Sequence, residues 1–443
     1  MRIRRVSVIV PPSLYRPMEG WAGVGNALPE GSTLAATVLS RAGCEVKGYD
    51  LRGFSGSEES ILDEVEEDDL VCLSGTPEGY VFVRRFAAAL KERNRSRPIL
   101  LGGCLSTVSW KTVLARTAVD FCLLGECEAV LPQFVRLLES DEPPCNLPVA
   151  YKSDGTIHDV ALESICPAPD EIPIPDLRIW SVSCTSGQTQ TMCYSTQRGC
   201  RYSCTFCVNP WEGRWRPLPT PQIREALSQL KARGMREVWF NDPTFNTDEG
   251  HCWQVIRVMR DLGLPWTCTI RATPASRELL AGMRDAGCQT VFLGIESADD
   301  AVLAGNNKAI DVRDTERCLA ATQSVGLPVV GFVMLGLPGE TSESLAKTVA
   351  FARKHSFIPR AHFAMPYPGS ALFQAFWKQH PDRFSTAGAA EEHLLEVMSG
   401  ASYDEVKPLF RISEIGVSAK DLSDTMADLA AISRERQFAR GRL

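Results

Sequence analysis

Short β-prone runs alternate with amphipathic helical stretches along most of this chain, and that alternation restricts the fold more than any other feature of the sequence. Residues 6–10 read as a buried strand stopped by Pro11 and Pro12, and residues 32–43 as a helix with Gly43 at its end. Further strands fall at 45–49, 70–74, 99–101 and 121–124, with a helix over 79–93. Strands separated by helices pair in parallel, so residues 1–140 predict a doubly wound, mostly parallel, Rossmann-like sheet. The pattern resumes at residue 185, with strands at 191–195, 237–240, 266–270, 290–293, 329–334 and 360–363 and helices such as 223–234 and 276–287. Six such units are too few to close an eight-unit barrel, and a partial (β/α)6 barrel over 185–385 is the natural solution. Between the two lies a proline-rich connector, residues 141–184, with a hairpin signal at Asp154-Gly155. Beyond 385 the pattern turns helical, at 387–397, 403–410 and 420–438, and predicts a small helical cap. The fold class is α/β throughout.

Just after the strand at 191–195, Cys200, Cys204 and Cys207 stand in a C-x3-C-x2-C spacing. Soft thiolates favour iron–sulfur clusters or zinc. A four-iron cluster takes four cysteines, so three would leave one iron open to a ligand from outside the protein. A structural zinc site needs two paired ligand clusters, and the chain has no second CxxC and no HxxxH. The competing reading is three ordinary buried cysteines among the 16 of the chain.

In parallel α/β sheets ligands collect beyond the carboxyl ends of the strands. In the first half those ends carry Ser74, Gly75 and Thr76, then Gly102 and Gly103, then Gly125 and Glu126, with Tyr80 closing the loop that begins at Thr76. Small residues admit a bulky ligand, although tight turns alone require the same residues. In the second half, Asn241, Asp242, Pro243 and Thr244 follow the second strand, Arg271 the third, Glu296 and Ser297 the fourth, and Gly336 opens the loop to Glu340 after the fifth. Singly, each has a structural reading: Asp242 as a helix cap, Arg271 in a salt bridge, the 336–340 segment as a loop and helix start. Jointly, one group per strand end downstream of the thiols is the layout of a shared site.

With Phe206 just before the last cysteine and these segments in this order, the chain resembles the radical S-adenosylmethionine (SAM) superfamily, in the branch with an N-terminal cobalamin-binding domain. The resemblance covers residues 1–385. It implies a 4Fe-4S cluster on Cys200, Cys204 and Cys207, which are then both metal ligands and catalytic residues, with SAM on the open iron. By the same resemblance Asn241, Asp242, Pro243 and Thr244 form the amine-binding segment, Glu296 and Ser297 lie near the ribose or methionine moiety, Phe206 lies over the adenine, and Gly336 belongs to the same set. Arg271 is a candidate partner of the SAM carboxylate, because its fork suits a planar acid. Cobalamin would lie against Ser74, Gly75, Thr76, Tyr80, Gly102, Gly103, Gly125 and Glu126. The DxHxxG motif that gives many cobalamin proteins a histidine on cobalt is absent after the first strand, where the chain has Pro11, Pro12, Ser13, Leu14 and Tyr15. The loop from Thr76 to Tyr80 is then the candidate for the lower face of the corrin.

The function implied is a cobalamin-dependent radical SAM methyltransferase. In that chemistry a 5'-deoxyadenosyl radical removes hydrogen from an unactivated carbon of a small or medium-sized natural product, and methylcobalamin delivers the methyl group. The rival enzymatic reading is a non-methylating rearrangement, cyclisation or oxidation with cobalamin assisting. A cobalamin-binding sensor or scaffold is the non-enzymatic alternative, and the intact thiol triad counts against it.

The formal net charge of −7 denies the chain the broad basic surface of a nonspecific nucleic-acid binder. No apolar run approaches the ~20 residues of a membrane span, and residues 1–6 are expected to run directly into a strand instead of a signal peptide. The expected setting is a monomer in the cytoplasm with its other cysteines reduced, served by a reductant such as flavodoxin or ferredoxin. The six histidines share no spacing and receive no metal role, with His362 a candidate substrate contact at the sixth strand end. Residues 211–216 mix tryptophan with arginine and either pack the cysteine loop or line a substrate pocket.

Overall fold

Each strand of the first half carries at least one valine, isoleucine or leucine, and these draw it into one sheet. In the computed structural model the described residues are 2–12, 27–52, 54, 56–159, 166–180, 191–208, 214–379, 381, 384–400 and 417–439. Contacts divide the chain into two units, one of Met1–Pro17, Gly23–Thr189 and Ala375–Ala401, the other of Met18–Ala22, Gln190–Gln374 and Ser402–Leu443.

The first unit runs β1 (Arg5–Val10), α1 (Glu30–Arg41), β2 (Glu45–Asp50), α2 (Glu58–Glu64), β3 (Leu70–Ser74), α3 (Tyr80–Arg93), β4 (Ile99–Gly102), α4 (Cys104–Arg116), β5 (Phe121–Leu123), α5 (Leu131–Ser140), β6 (Val149–Ser153) and β7 (Thr156–His158). The strand order is β2-β1-β3-β4-β5-β6-β7. β1 to β5 are parallel, and β6 and β7 are antiparallel. The order reverses at β1, so the switch crevice of this doubly wound sheet lies between the carboxyl ends of β1 and β3. Asp154 and Gly155 turn the expected hairpin with φ of 49° and 76°. Its two strands extend the first sheet, which places 149–158 inside the first unit. The proline-rich stretch also stays with this unit: Trp180 donates to Thr33 Oγ1 at 3.1 Å and lies so close over Gly48 that a Cβ there would stand 2.7 Å from the indole.

The second unit continues with β8 (Thr191–Tyr194), a short ribbon of β9 (Gln197–Arg198) and β10 (Arg216–Pro217), α6 (Thr220–Ala232), β11 (Glu237–Phe240), α7 (Glu249–Leu262), β12 (Trp266–Ile270), α8 (Arg277–Asp285), β13 (Cys288–Glu296), α9 (Asp300–Gly305), α10 (Val312–Val325), β14 (Val329–Leu335), α11 (Ser342–Lys354) and β15 (Ile358–Phe363). Its six strands pair in sequence order, all parallel, and among the described residues β8 does not pair with β15. The sheet is an open α/β barrel wall, as six units require. Side chains alternate across it: Val238, Phe240, Trp266, Cys268 and Ile270 are 0–1% exposed, whereas Cys193, Trp239, Thr269, Phe332, Arg360 and His362 are half-buried on the other face. Helix starts follow their caps, with Asp248 accepting from His251 N–H at 2.9 Å and Ser276 from Leu279 N–H at 3.1 Å.

Three helices complete the chain, α12 (Ala371–Gln379), α13 (Ala387–Gly400) and α14 (Ala419–Ala439). The tail read as one cap divides between the units: α13 falls in the first, where Arg84 pairs with Glu396 at 2.6 Å and Arg116 with Glu392 at 2.9 Å, and α14 falls in the second, where Arg353 pairs with Asp428 at 3.5 Å. The helix expected at 403–410 lies outside the described residues, as do residues 209–213 beyond the thiols. No described helix is long and apolar enough to cross a membrane.

Candidate active site

The cysteine loop is fixed before it reaches its first thiol. Asp242, 2% exposed at the end of β11, accepts from the backbone N–H groups of Thr196 and Gln197 at 2.8 and 3.1 Å and from the Thr196 hydroxyl at 2.8 Å. Because that hydroxyl donates to Asp242, His251 Nε2, 3.2 Å away, is the donor to its oxygen. Burial lowers the His251 pKa and keeps the ring neutral, consistent with that role. Gln197 then donates to the Thr244 carbonyl and accepts from Trp215 Nε1, each at 2.5 Å. Asp242 therefore clamps the turn that leads into the thiols and is not a helix cap.

A second clamp holds the far side. Asn306, Asn307 and Lys308 follow α9, and Asn307 and Ala309 take φ of 52° and 54°. The Asn306 carbonyl accepts from Thr205 N–H at 3.1 Å, and Asn307 Nδ2 donates to the Ser203 carbonyl and hydroxyl at 2.9 and 2.8 Å. From α12, Leu372 N–H donates to the Thr205 carbonyl at 2.8 Å. On the loop so held, Cys200 Sγ stands 3.8 Å from Thr244 Oγ1 and Cys204 Sγ 3.8 Å from Arg271 Nη1. Cys207 is exposed by surface area, yet crowding of its thiol by protein atoms, reinforced by Cys204 and Cys200, pushes it up to about 11. Among the described residues no three histidine, cysteine, aspartate or glutamate side chains gather closely enough for a single metal ion. A polynuclear cluster spreads its thiolates around a larger body, so three soft sulfurs on one pinned loop suit a cluster and not a zinc ion.

The remaining strand ends converge on this loop. Glu296 ends β13 with φ of 62°, a left-handed conformation uncommon outside glycine, and its carboxylate pairs with Lys308 Nζ at 2.8 Å. Both side chains are under a tenth exposed, at 9% and 7%. Lys308 also stands 5.9 Å from the centre of the Phe206 ring, which packs with Val302, Leu337, Ala364 and Leu372. Ser297 is 1% exposed and accepts from Asp299 N–H at 3.3 Å. Asn246 brackets the end of β12, accepting from Arg271 N–H and donating to its carbonyl, both at 2.9 Å. Asn241 and Pro243 are exposed and Thr244 is buried. Sequence reasoning missed Lys308 and Asn246 as site residues. A lone lysine twelve positions after Glu296 carries no periodic signal, and Asn246 lies two residues beyond the strand-end run 241–244 without a chemical mark of its own.

At the end of β14 Gly336, with φ of 88°, donates its N–H to Glu340 Oε2 at 2.5 Å. Glu340 is fully buried, its Oε1 has no hydrogen-bond partner, and desolvation pushes its carboxyl up to about 7 against that N–H. The unfolded chain ionises Glu340 near 4.5 and the folded one near 7, so stability falls as pH rises through that window. The loss amounts to about 3 kcal/mol. Glu340→Gln is expected to remove that share, and denaturant melts at both ends of the window check it: equal pH dependence in variant and wild type contradicts the assignment.

In the first unit the strand ends form a shelf of small groups. Gly75 N–H donates to the Gly102 carbonyl at 2.9 Å, and a Cβ on Gly103, where φ is 88°, would stand 2.8 Å from the Gly75 oxygen. Gly102 opens to free space, Gly125 N–H donates to Thr107 Oγ1 at 3.1 Å, and Ser74 is half-buried and Thr76 exposed. Glu126 is 4% exposed. Tyr80 departs from the others: it is fully buried, with the Arg84 guanidinium 5.5 Å from its ring centre, so its side chain does not lie on the shelf. Close backbone packing without side chains beside the β1/β3 switch point suits a large, flat ligand such as a corrin.

Comparison with known proteins bears on the whole arrangement. Residues 194–352 match the Radical SAM superfamily model. Over 424 residues the chain is 25% identical to an uncharacterized methyltransferase of Pyrococcus horikoshii, covering 93% of this chain and 89% of that one. It is 27% identical to the anaerobic magnesium-protoporphyrin IX monomethyl ester cyclase of Rubrivivax gelatinosus over 72% of this chain, but spans only 60% of that enzyme. In fold it matches the radical SAM methyltransferase TsrM of Kitasatospora setae, solved with cobalamin and a [4Fe-4S] cluster, with a TM-score of 0.75 at 15% identity over 97% of this chain and 89% of that one. Residues 194–352 thus carry a radical SAM domain, and the chain is a radical SAM enzyme. Its fold is that of the superfamily's cobalamin-dependent methyltransferases.

Proposed function

We propose that this enzyme methylates an unactivated carbon of a small or medium-sized natural product, working as a cytoplasmic monomer with flavodoxin or ferredoxin as reductant. The observation that carries the proposal is one chain holding both a doubly clamped thiol triad and a glycine shelf at a switch point. When bound, the cluster and SAM supply radical hydrogen abstraction and the corrin supplies the methyl group. Cys200, Cys204 and Cys207 hold the cluster, and the Asp242 and Asn306–Asn307 clamps fix where they stand. Asn241, Asp242, Pro243, Thr244, Glu296, Ser297 and Gly336 frame the SAM site, with Phe206 against its adenine and the Glu296–Lys308 pair fixing one wall. Ser74, Gly75, Thr76, Gly102, Gly103, Gly125 and Glu126 seat the corrin.

The substrate occupies the half-buried face of the second sheet, where Trp239, Phe292 and Phe332 stack in succession with ring centres 4.6 and 5.6 Å apart. Their apolar rings keep water from the reacting carbon. His362, 5.9 Å from Phe332, is pushed down to about 4 by burial and then by Arg360, and so faces the substrate as a neutral hydrogen-bonding group.

Anaerobic incubation with methyl-tritiated SAM, corrinoid and candidate acceptors tests the proposal. Label in a product heavier by one CH2 supports it, and a folded protein that binds no corrinoid refutes it. The Rubrivivax relative favours a second reading, a non-methylating cyclisation, which predicts an unlabelled product of unchanged mass or two hydrogens lighter.

A further inference from the structure

Arg271 is 4% exposed, yet no carboxylate among the described residues pairs with it. Nη2 donates to the Lys308 carbonyl, the Tyr202 ring centre lies 3.7 Å from the guanidinium carbon, and Nη1 stands 3.8 Å from Cys204 Sγ. Nε has no hydrogen-bond partner. A cation withdrawn from water without an opposite charge is strongly unfavourable, and the functional group at hand that can become an anion is the Cys204 thiol. Asn246 fixes the Arg271 backbone from both sides, and the Lys308 carbonyl fixes one arm of its fork, leaving the other arm directed at sulfur. The SAM carboxylate is then not what this fork is built to clasp.

We propose that Arg271 is the counter-cation of the iron–sulfur cluster, donating an N–H···S hydrogen bond to the Cys204 thiolate and raising the cluster's reduction potential. The inference rests on the three cysteines being the ligand set. A cluster carried by thiolates gains one negative charge when one electron arrives from a flavodoxin- or ferredoxin-class reductant. A fixed positive charge and a hydrogen bond to sulfur favour the more negative state. Arg271 thereby acts through the cluster and is a positioning residue.

The test compares anaerobically reconstituted full-length wild type, Arg271→Gln and Arg271→Lys by iron and sulfide content, by SAM binding, and by electron paramagnetic resonance during potentiometric titration with dithionite. All three are expected to hold equal iron and bind SAM equally. The equilibrium constant for one-electron reduction should fall about tenfold in Arg271→Gln, which is 59 mV, with Arg271→Lys between it and wild type. Equal iron with an unmoved potential overturns the inference, and an unmoved potential with weakened SAM binding returns Arg271 to the carboxylate. If Arg271→Gln holds no iron, Arg271→Lys decides, and a potential at or above wild type overturns the inference. Iron retained by a variant without the three cysteines sinks the ligand assignment instead.

Discussion

Replacing Cys200, Cys204 and Cys207 together by alanine is expected to remove one cluster's worth of iron and sulfide from the reconstituted protein and to abolish reductive SAM cleavage. The loss should be complete because the loop has no substitute in the sequence, which holds no second CxxC and no HxxxH. The fold should survive, since the loop is held by Asp242, Asn306, Asn307 and Leu372 through Thr196, Ser203 and Thr205 and not through the thiols. Circular dichroism and thermal melting of the apoprotein should therefore match wild type. Equal iron in variant and wild type would remove the metal assignment.

The second large effect is expected at Lys308. Its ammonium and the Glu296 carboxylate are both buried, so replacing Lys308 by methionine strands a carboxylate in a dry interior. That should cost about 3–5 kcal/mol. The double variant Glu296→Gln/Lys308→Met should regain much of the loss, because no charge is left unpaired. Urea denaturation of the two single variants and the double variant measures the coupling, and strictly additive losses would show that the pair is not a unit. A left-handed Glu296 at a strand end is a conformation kept only where the surroundings dictate it, and this pair is part of what dictates it.

Much of this was legible in the sequence because its signals are local. The strands at 70–74, 237–240 and 266–270 appear at those bounds, since β-branched and aromatic runs bounded by turn residues leave little choice of register. The thiol spacing and the strand-end groups were legible for the same reason. What escaped depends on partners distant in sequence. Lys308 meets Glu296 across a loop, Asn246 grips Arg271 twenty-five residues on, and Arg271 turns its fork toward sulfur only once Lys308 offers its carbonyl. Tyr80 was read from its place in a loop, but α13 arrives from the far end of the chain in the core that buries it, with Leu395 beside Tyr80 and Trp110 in one apolar cluster. No local pattern announces such a pairing.

That last packing arrangement has a consequence for how the protein is made. The first unit borrows a helix encoded after most of the second, so its apolar core stays unsealed until the ribosome has passed residue 400. Amino-terminal domains ordinarily finish folding first during synthesis. Here the nascent chain must carry a first sheet that lacks one covering helix while the second unit emerges, and neither half can be cut away at a single point to give a self-contained domain.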